Sequence, residues 1–223
     1  MARVDVCTYI WTDLDTGVKT EVRHLHNMCF PDDADTDSSL DEFFDKLTFL
    51  MEKSECVWFL LWRSNGGITA SESRQLLGMM GCSEYHDSMY SFTLCIHPSF
   101  RGRRLSRRIM LEAALHAHTN KGFVKLSGSV DRKQTRLLKF YLNMGGVIEQ
   151  TGLCSPGTET STVRISYTFD VLSVESERKE LDMWIESEFS SHGRRRPIKI
   201  LCSGVFVAGI AWGLSNARNF GLR

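Results

Sequence analysis

The feature that most constrains this chain is a change of period. From Leu94 to Gly122 the sequence reads LCIHPSFRGRRLSRRIMLEAALHAHTNKG: a β-like apolar run stops at Pro98, crosses an arginine-rich turn and resumes as a long amphipathic helix. A strand feeding a helix in this way points to a mixed α/β architecture. The first turn of such a helix exposes backbone N–H groups without intrahelical partners and carries the positive end of the helix dipole. It binds anions, phosphates above all, when a glycine lets the backbone approach and cations flank it. Gly102 with Arg101, Arg103, Arg104, Arg107 and Arg108 meets both conditions, and a solvated basic helix start is the competing reading.

The remaining segments alternate between strand and helix periods. Strands are predicted over 4–12, 56–64, 75–85, 88–98, 123–130, 146–153 and 162–170, and helices over 18–30, 38–54 and 135–145. The strands ending at Tyr85 and starting at Ser88 are close enough to form a hairpin around Glu84 to Asp87, and a turn at Ser155-Pro156-Gly157 joins the last two. With 223 residues, 42% of them hydrophobic, one full core or one core with an appendage is expected. Lys and Arg total 27 against 27 Asp and Glu, so there is no overall basic field for nucleic acid, and any charge-based function is local. Seven dispersed cysteines, with no close pair, favour free thiols over a disulfide framework and signal no zinc site. The pairs His24/His26 and His116/His118 are spaced i, i+2 in helices and point apart, so they are not chelating pairs.

The turn Ile96-His97-Pro98-Ser99-Phe100-Arg101-Gly102-Arg103-Arg104-Leu105-Ser106, together with the later KFYLNMGG, resembles the GCN5-related N-acetyltransferase (GNAT) family. That family's first motif runs V-x-P-x-[YF]-R-G-[KR]-G-[IL]-G, and the resemblance spans Val4 to about Asp170. It implies a GNAT-like acyl-CoA-binding fold, a mixed central sheet with flanking helices, and acetyl-CoA as cofactor. It further implies that the strand at Leu94, Cys95 and Ile96 pairs with the pantetheine arm. The turn of Arg101, Gly102, Arg103, Arg104, Leu105 and Ser106 would hold the pyrophosphate. Arg104 replaces the usual glycine, which puts close phosphate approach in question, although a flexible guanidinium can swing outward and pair with the CoA phosphates. The second motif, DRKQTRLLKFYLNMGG, has Gln134 at the usual asparagine and keeps Tyr141, which the family uses to protonate the departing thiolate. A tyrosine on the apolar face of an amphipathic helix is the competing reading of Tyr141.

No acid stands at Tyr90, Ser91 or Phe92, where several relatives place a base. Glu84, His86 and Asp87 in the hairpin are the nearest candidates. The acidic junction around Asp32, Asp33, Asp35 and Asp37 is suited to attract a cationic amine, or simply caps the following helix. The resulting expectation is direct acetyl transfer to a primary amine: a lysine side chain, a protein N-terminus, a polyamine or another small amine. The alternative is a weak or inactive acyl-CoA-binding module recruited to a membrane.

Beyond an acetyltransferase-like domain over 1–171, an acidic amphipathic linker helix is expected over 172–193. A basic flank and a hydrophobic helical tail follow over 194–223. The uncharged run from Ile200 to Ala217 is near the lower length for a bilayer span, with RRRPIK before it and Gly209 and Gly213 spaced for helix packing. This places the protein on the cytoplasmic face of an intracellular membrane by a tail anchor, or in the cytoplasm. A buried helix, a membrane-surface helix and a nuclear import signal are the other readings of the tail.

Overall fold

Apolar patterning decides the layers. In the computed structural model, residues 2–30, 56–65, 74–149 and 162–190 are described. The run Val57-Trp58-Phe59-Leu60-Leu61-Trp62 is buried at every position, the mark of a strand covered on both faces.

The chain forms β1 (Ala2–Ile10), a 3-10 turn at Trp11–Asp13, and α1 (Thr16–Cys29), which is capped by the Asp15 carboxylate accepting from the Val18 N–H at 2.9 Å. Three strands follow, β2 (Val57–Asn65), β3 (Arg74–Tyr85) and β4 (Ser88–Ile96), and then a 3-10 turn at Pro98–Phe100. The second half runs α2 (Leu105–Lys121), β5 (Lys125–Asp131), α3 (Thr135–Asn143), β6 (Val147–Glu149), β7 (Thr162–Thr168) and α4 (Val171–Ser190). The described strands make one seven-stranded sheet in the order β1-β2-β3-β4-β5-β7-β6.

The two faces bury different helices. Phe59, Leu77 and Met80 pack with Ile109 of α2 and Ile185 of α4 on one side, while Trp58, Leu60 and Met79 pack with Val22 and Leu25 of α1 on the other. The β3–β4 hairpin, with Tyr85 opposite Ser88, and the predicted strands lie close to their expected bounds, save that the strand expected over 146–153 is described only as Val147–Glu149, since 150–153 lie outside the described residues. The acidic segment expected as a linker is different. Val174, Leu181, Ile185 and Phe189 form one buried stripe along α4, which packs on α2 and β1, so the compact unit runs to Ser190 and not to 171. The predicted helix over 38–54, the turn at 155–157 and the tail over 194–223 lie outside the described residues. No described helix is long and apolar enough to cross a membrane.

The sheet has one parallel pair, and it is short. β4 and β5 pair only at Met89–Leu126, Tyr90–Ser127 and Ser91–Gly128, then part. The cause lies one residue further on. On β3, Gly81 faces Thr93 while Cys82 faces Ser91, so Phe92 is left over as a β-bulge that turns β4 away from β5. The Phe92 ring lies over Gly81, where any side chain would run into it, and meets Trp58 edge-on at 5.5 Å. Gly81→Ala should therefore displace the bulge and destabilise the fold by about 1–3 kcal/mol, the usual effect of overpacking. Urea unfolding of the two proteins would show it, with Gly17→Ala on exposed α1 as the comparison.

Candidate active site

Where β4 and β5 part, a cleft partly open to solvent is lined by Met80, Ser91, Met110, Gly128, Tyr141 and Tyr167 among others. Its β4 wall is a backbone edge. His97 donates to Leu77 C=O at 2.8 Å, and by antiparallel alternation Cys95 is likewise tied to β3. Leu94 and Ile96 therefore turn their N–H and C=O groups toward the edge that β5 has left. The Ile96 carbonyl there accepts from Arg101 Nε at 3.2 Å and from Cys29 Sγ at 3.4 Å.

The turn after β4 is built for exposed amides. Gly102 sits at φ 79° and Arg104 at φ 57°, both left-handed, and Arg104 is the N-cap of α2 without a side-chain cap bond. The glycine position of the family motif thus does require left-handed backbone, at a cost of about 1 kcal/mol for arginine. The first helical bond runs from the Arg108 N–H to Arg104 C=O at 3.1 Å, leaving the N–H groups of Leu105, Ser106 and Arg107 without helical partners. The Leu105 side chain is buried in the core, so that residue offers only its backbone.

The arginines divide in a way the sequence did not show. Arg101 turns back to β4. Arg103 lies over Phe100 at 5.5 Å and Phe189 at 5.3 Å, and Arg104 swings outward over Trp184 at 5.3 Å. Arg107 clasps Glu177, with Nε at 2.6 Å from Oε1, and sits over Tyr167. Arg108, 8% exposed, bonds Asp182 and Glu112, the latter at 2.7 Å. Four of the five thus rest on α4, through Phe189, Trp184, Glu177 and Asp182. The matching excess of acids in VESERKELDMWIESEF was the available signal.

Tyr141, on α3, packs edge-on against Phe140 and lines the cleft where the strands part. Burial, with smaller effects from nearby Cys82 and Cys95, pushes its phenol well above the ordinary tyrosine value. The hydroxyl keeps its proton across the physiological range and can act as an acid. Gln134, exposed, is the N-cap of α3 just past the end of β5, and it is not among the cleft's described lining residues. Asp32, Asp33 and Asp35 lie outside the described residues. Glu84, His86 and Asp87 are exposed at the hairpin tip, beyond the paired end of β4, and Glu84 is held by Lys121 at 2.5 Å. No carboxylate or imidazole is among the cleft's described lining residues.

Known proteins bear directly on this arrangement. The model of the acetyltransferase (GNAT) family matches residues 19–145. Among solved structures, an acetyltransferase from Streptococcus agalactiae is 16% identical with a TM-score of 0.55, covering 74% of this chain and 98% of its own. An acyl-CoA N-acyltransferase from Pseudomonas aeruginosa is 14% identical with a TM-score of 0.53, covering 74% and 99%. A chimera of the spermidine N-acetyltransferase of Vibrio cholerae is 15% identical with a TM-score of 0.51, covering 73% and 95%. No curated protein matches the chain in sequence.

The clamp on α4 should be separable from the turn it supports. Arg108→Ala takes the shared cation from Asp182 and Glu112, while Glu112 keeps Arg178 at 3.3 Å. Because Asp182 is itself 38% exposed, the loss should be about 2 kcal/mol, below the range for a fully buried pair. Arg104→Gly relieves the left-handed strain but gives up the contact with Trp184, two effects of about 1 kcal/mol each, and should leave stability nearly unchanged. Urea denaturation of both variants tests the contrast.

Proposed function

The chain belongs to the GNAT family of acetyltransferases, N-acyltransferases that use acetyl-CoA, and on that premise we propose that it acetylates a primary amine directly with Tyr141 as general acid. The observation that carries this reading is the tyrosine hydroxyl at the point where an open backbone edge begins.

The residues present fit the cofactor. An uncapped, left-handed helix start and a strand edge turned outward at Leu94 and Ile96 are the two backbone features a phosphate-bearing amide chain needs. In this reading the N–H groups of Gly102, Arg103, Arg104, Leu105 and Ser106 hold the pyrophosphate, and Arg101 leaves Ile96 C=O to pair with it. Leu94 and Ile96 supply the strand edge for the pantetheine amides, with Cys95 holding that edge to β3. Gln134 bounds the arm from the β5 side. The acidic stretch at Asp32, Asp33 and Asp35 draws in the cationic acceptor.

When bound, acetyl-CoA supplies an acyl thioester open to attack by an amine. Tyr141 Oη would give its proton to the departing sulfur, a proton that burial keeps on the hydroxyl across the physiological range. Met80, Met110 and Tyr167 exclude water around it. With no carboxylate or imidazole among the cleft's described lining residues, the amine must arrive already neutral. The left-handed Arg104 favours a second reading, a module that binds acyl-CoA but transfers weakly.

Acetyl-CoA at about 100 times its Kd should stabilise the protein by about 2.7 kcal/mol. Differential scanning fluorimetry reads this, and no shift at millimolar ligand removes the cofactor assignment. An amine panel spanning polyamines, lysine peptides and peptide N-termini, followed by thiol release, separates transfer from binding alone. Tyr141→Phe should lower kcat by about 10²- to 10⁴-fold with acetyl-CoA affinity retained, and by less at high pH where the thiolate leaves unassisted. For a lysine-like acceptor, kcat/KM should climb about tenfold per pH unit below the amine's pKa, following its neutral fraction. A plateau near pH 7 would reveal a base.

A further inference from the structure

Behind the strand edge assigned to the cofactor lies a pair of thiols that the transfer chemistry does not use. Cys29 is the last residue of α1, half-buried, and Cys95 is buried in the middle of the β4 edge segment. Sixty-seven residues separate Cys29 from the Ile96 carbonyl that its Sγ meets at 3.4 Å. Arg101 Nε reaches the same oxygen at 3.2 Å, so a thiol and a guanidinium converge on one carbonyl. Cys29 packs against the same cluster that buries Cys95, whose Sγ lies 3.5 Å from Thr93 Oγ1. None of the other described cysteines combines these contacts. Cys82, for instance, is sealed in the core with its thiol pushed up by burial.

We propose that Cys29 and Cys95 form a reversible thiol–disulfide pair, closed by hydrogen peroxide and opened by thiols, which ties α1 to β4 and strengthens cofactor binding by releasing the Ile96 carbonyl and Arg101.

The chemistry assigns distinct roles to the two sulfurs. The neighbouring Cys95 thiol and the nearby Arg101 charge outweigh burial and bring the Cys29 thiol down to about 6, so it is largely thiolate at neutral pH. Cys95 is held protonated by the neighbouring Cys29 and by its burial. The Cys29 thiolate attacks peroxide, the O–O bond breaks, one oxygen stays on sulfur as the sulfenic acid and the other leaves, protonated, as water. The Cys95 sulfur then attacks Cys29 Sγ, the S–S bond forms, the S–O bond breaks, and the second oxygen leaves as water with the thiol proton. Two thiols and one peroxide become one disulfide and two waters.

The consequence for the site rests on the cofactor track proposed along β4. Forming the bond pulls Cys29 off Ile96 C=O and fixes Cys95 between the two residues that present the edge. It also removes the anionic partner beside Arg101, the cation expected to turn toward the pyrophosphate.

The full-length protein is treated with hydrogen peroxide, the remaining thiols are alkylated, and peptides are mapped by mass spectrometry before and after dithiothreitol. A cross-link between the peptides carrying Cys29 and Cys95, 2 Da lighter than the thiol pair and reversed by reductant, is expected. The oxidised protein should then bind acetyl-CoA at least tenfold more tightly by isothermal titration. Cys29→Ser, which keeps a donor for Ile96 C=O, should form no such cross-link and hold its affinity in peroxide. Absence of the cross-link, or a cross-link with unchanged or weaker affinity, overturns the proposal. If the reduced wild-type protein fails to bind acetyl-CoA, it is the cofactor reading that falls, an outcome distinct from reduced protein that binds but does not cross-link.

Discussion

A sheet must pair its backbone groups or lose free energy, and in this protein one edge in the middle of the sheet is deliberately left unpaired. The bulge at Phe92 makes that opening, by adding one residue to β4 opposite a β3 that does not lengthen. The candidate site is arranged around it. The turn after β4 brings exposed amides to one end of the gap, α3 brings Tyr141 to the point where the strands diverge, and the side chains of Arg101 and Cys29 occupy an edge carbonyl. The pairing that remains is reinforced by side chains: Ser88 and Ser127 share a 2.9 Å hydrogen bond across β4 and β5, and Tyr90 donates to Ser129 at 3.0 Å. These bonds fix where the strands begin to part.

The chemistry divides between backbone and side chain. In the proposed reading, anion and amide recognition falls to N–H and C=O groups, which a sequence carries at every residue and which acquire meaning only from conformation. The side chain proposed as acid is a phenol kept protonated by burial. An arginine can stand at the motif's glycine because its long side chain leaves the turn to stack on Trp184, so the turn's N–H groups stay open.

The order of strands and helices was legible because periodicity is local, and the β3–β4 hairpin was legible because its loop is two residues long. The position of Tyr141 was legible through the family motif and the apolar face of α3. The Phe92 bulge was not, since register is a relation between two strands and neither one encodes it alone. Nor was the role of most of the arginines. Arg107 and Arg108 find their carboxylates 70 and 74 residues away, and local charge counting reads such side chains as free for a ligand. The same distance hid α4 itself: its acids suggested a solvated connector, while its stripe from Val174 to Phe189 is core.

That long-range clamp has a consequence for the order of events during synthesis. The arginines of the turn after β4 are made well before α4, so Arg103, Arg107 and Arg108 leave the ribosome ahead of Phe189, Glu177 and Asp182. Their full set of contacts is complete only once translation has passed Phe189. Contacts of such separation carry the greatest loop-closure entropy and form late. A nascent chain with all its strands in place would still lack the contacts that brace the turn after β4, and these would arrive together as α4 docks.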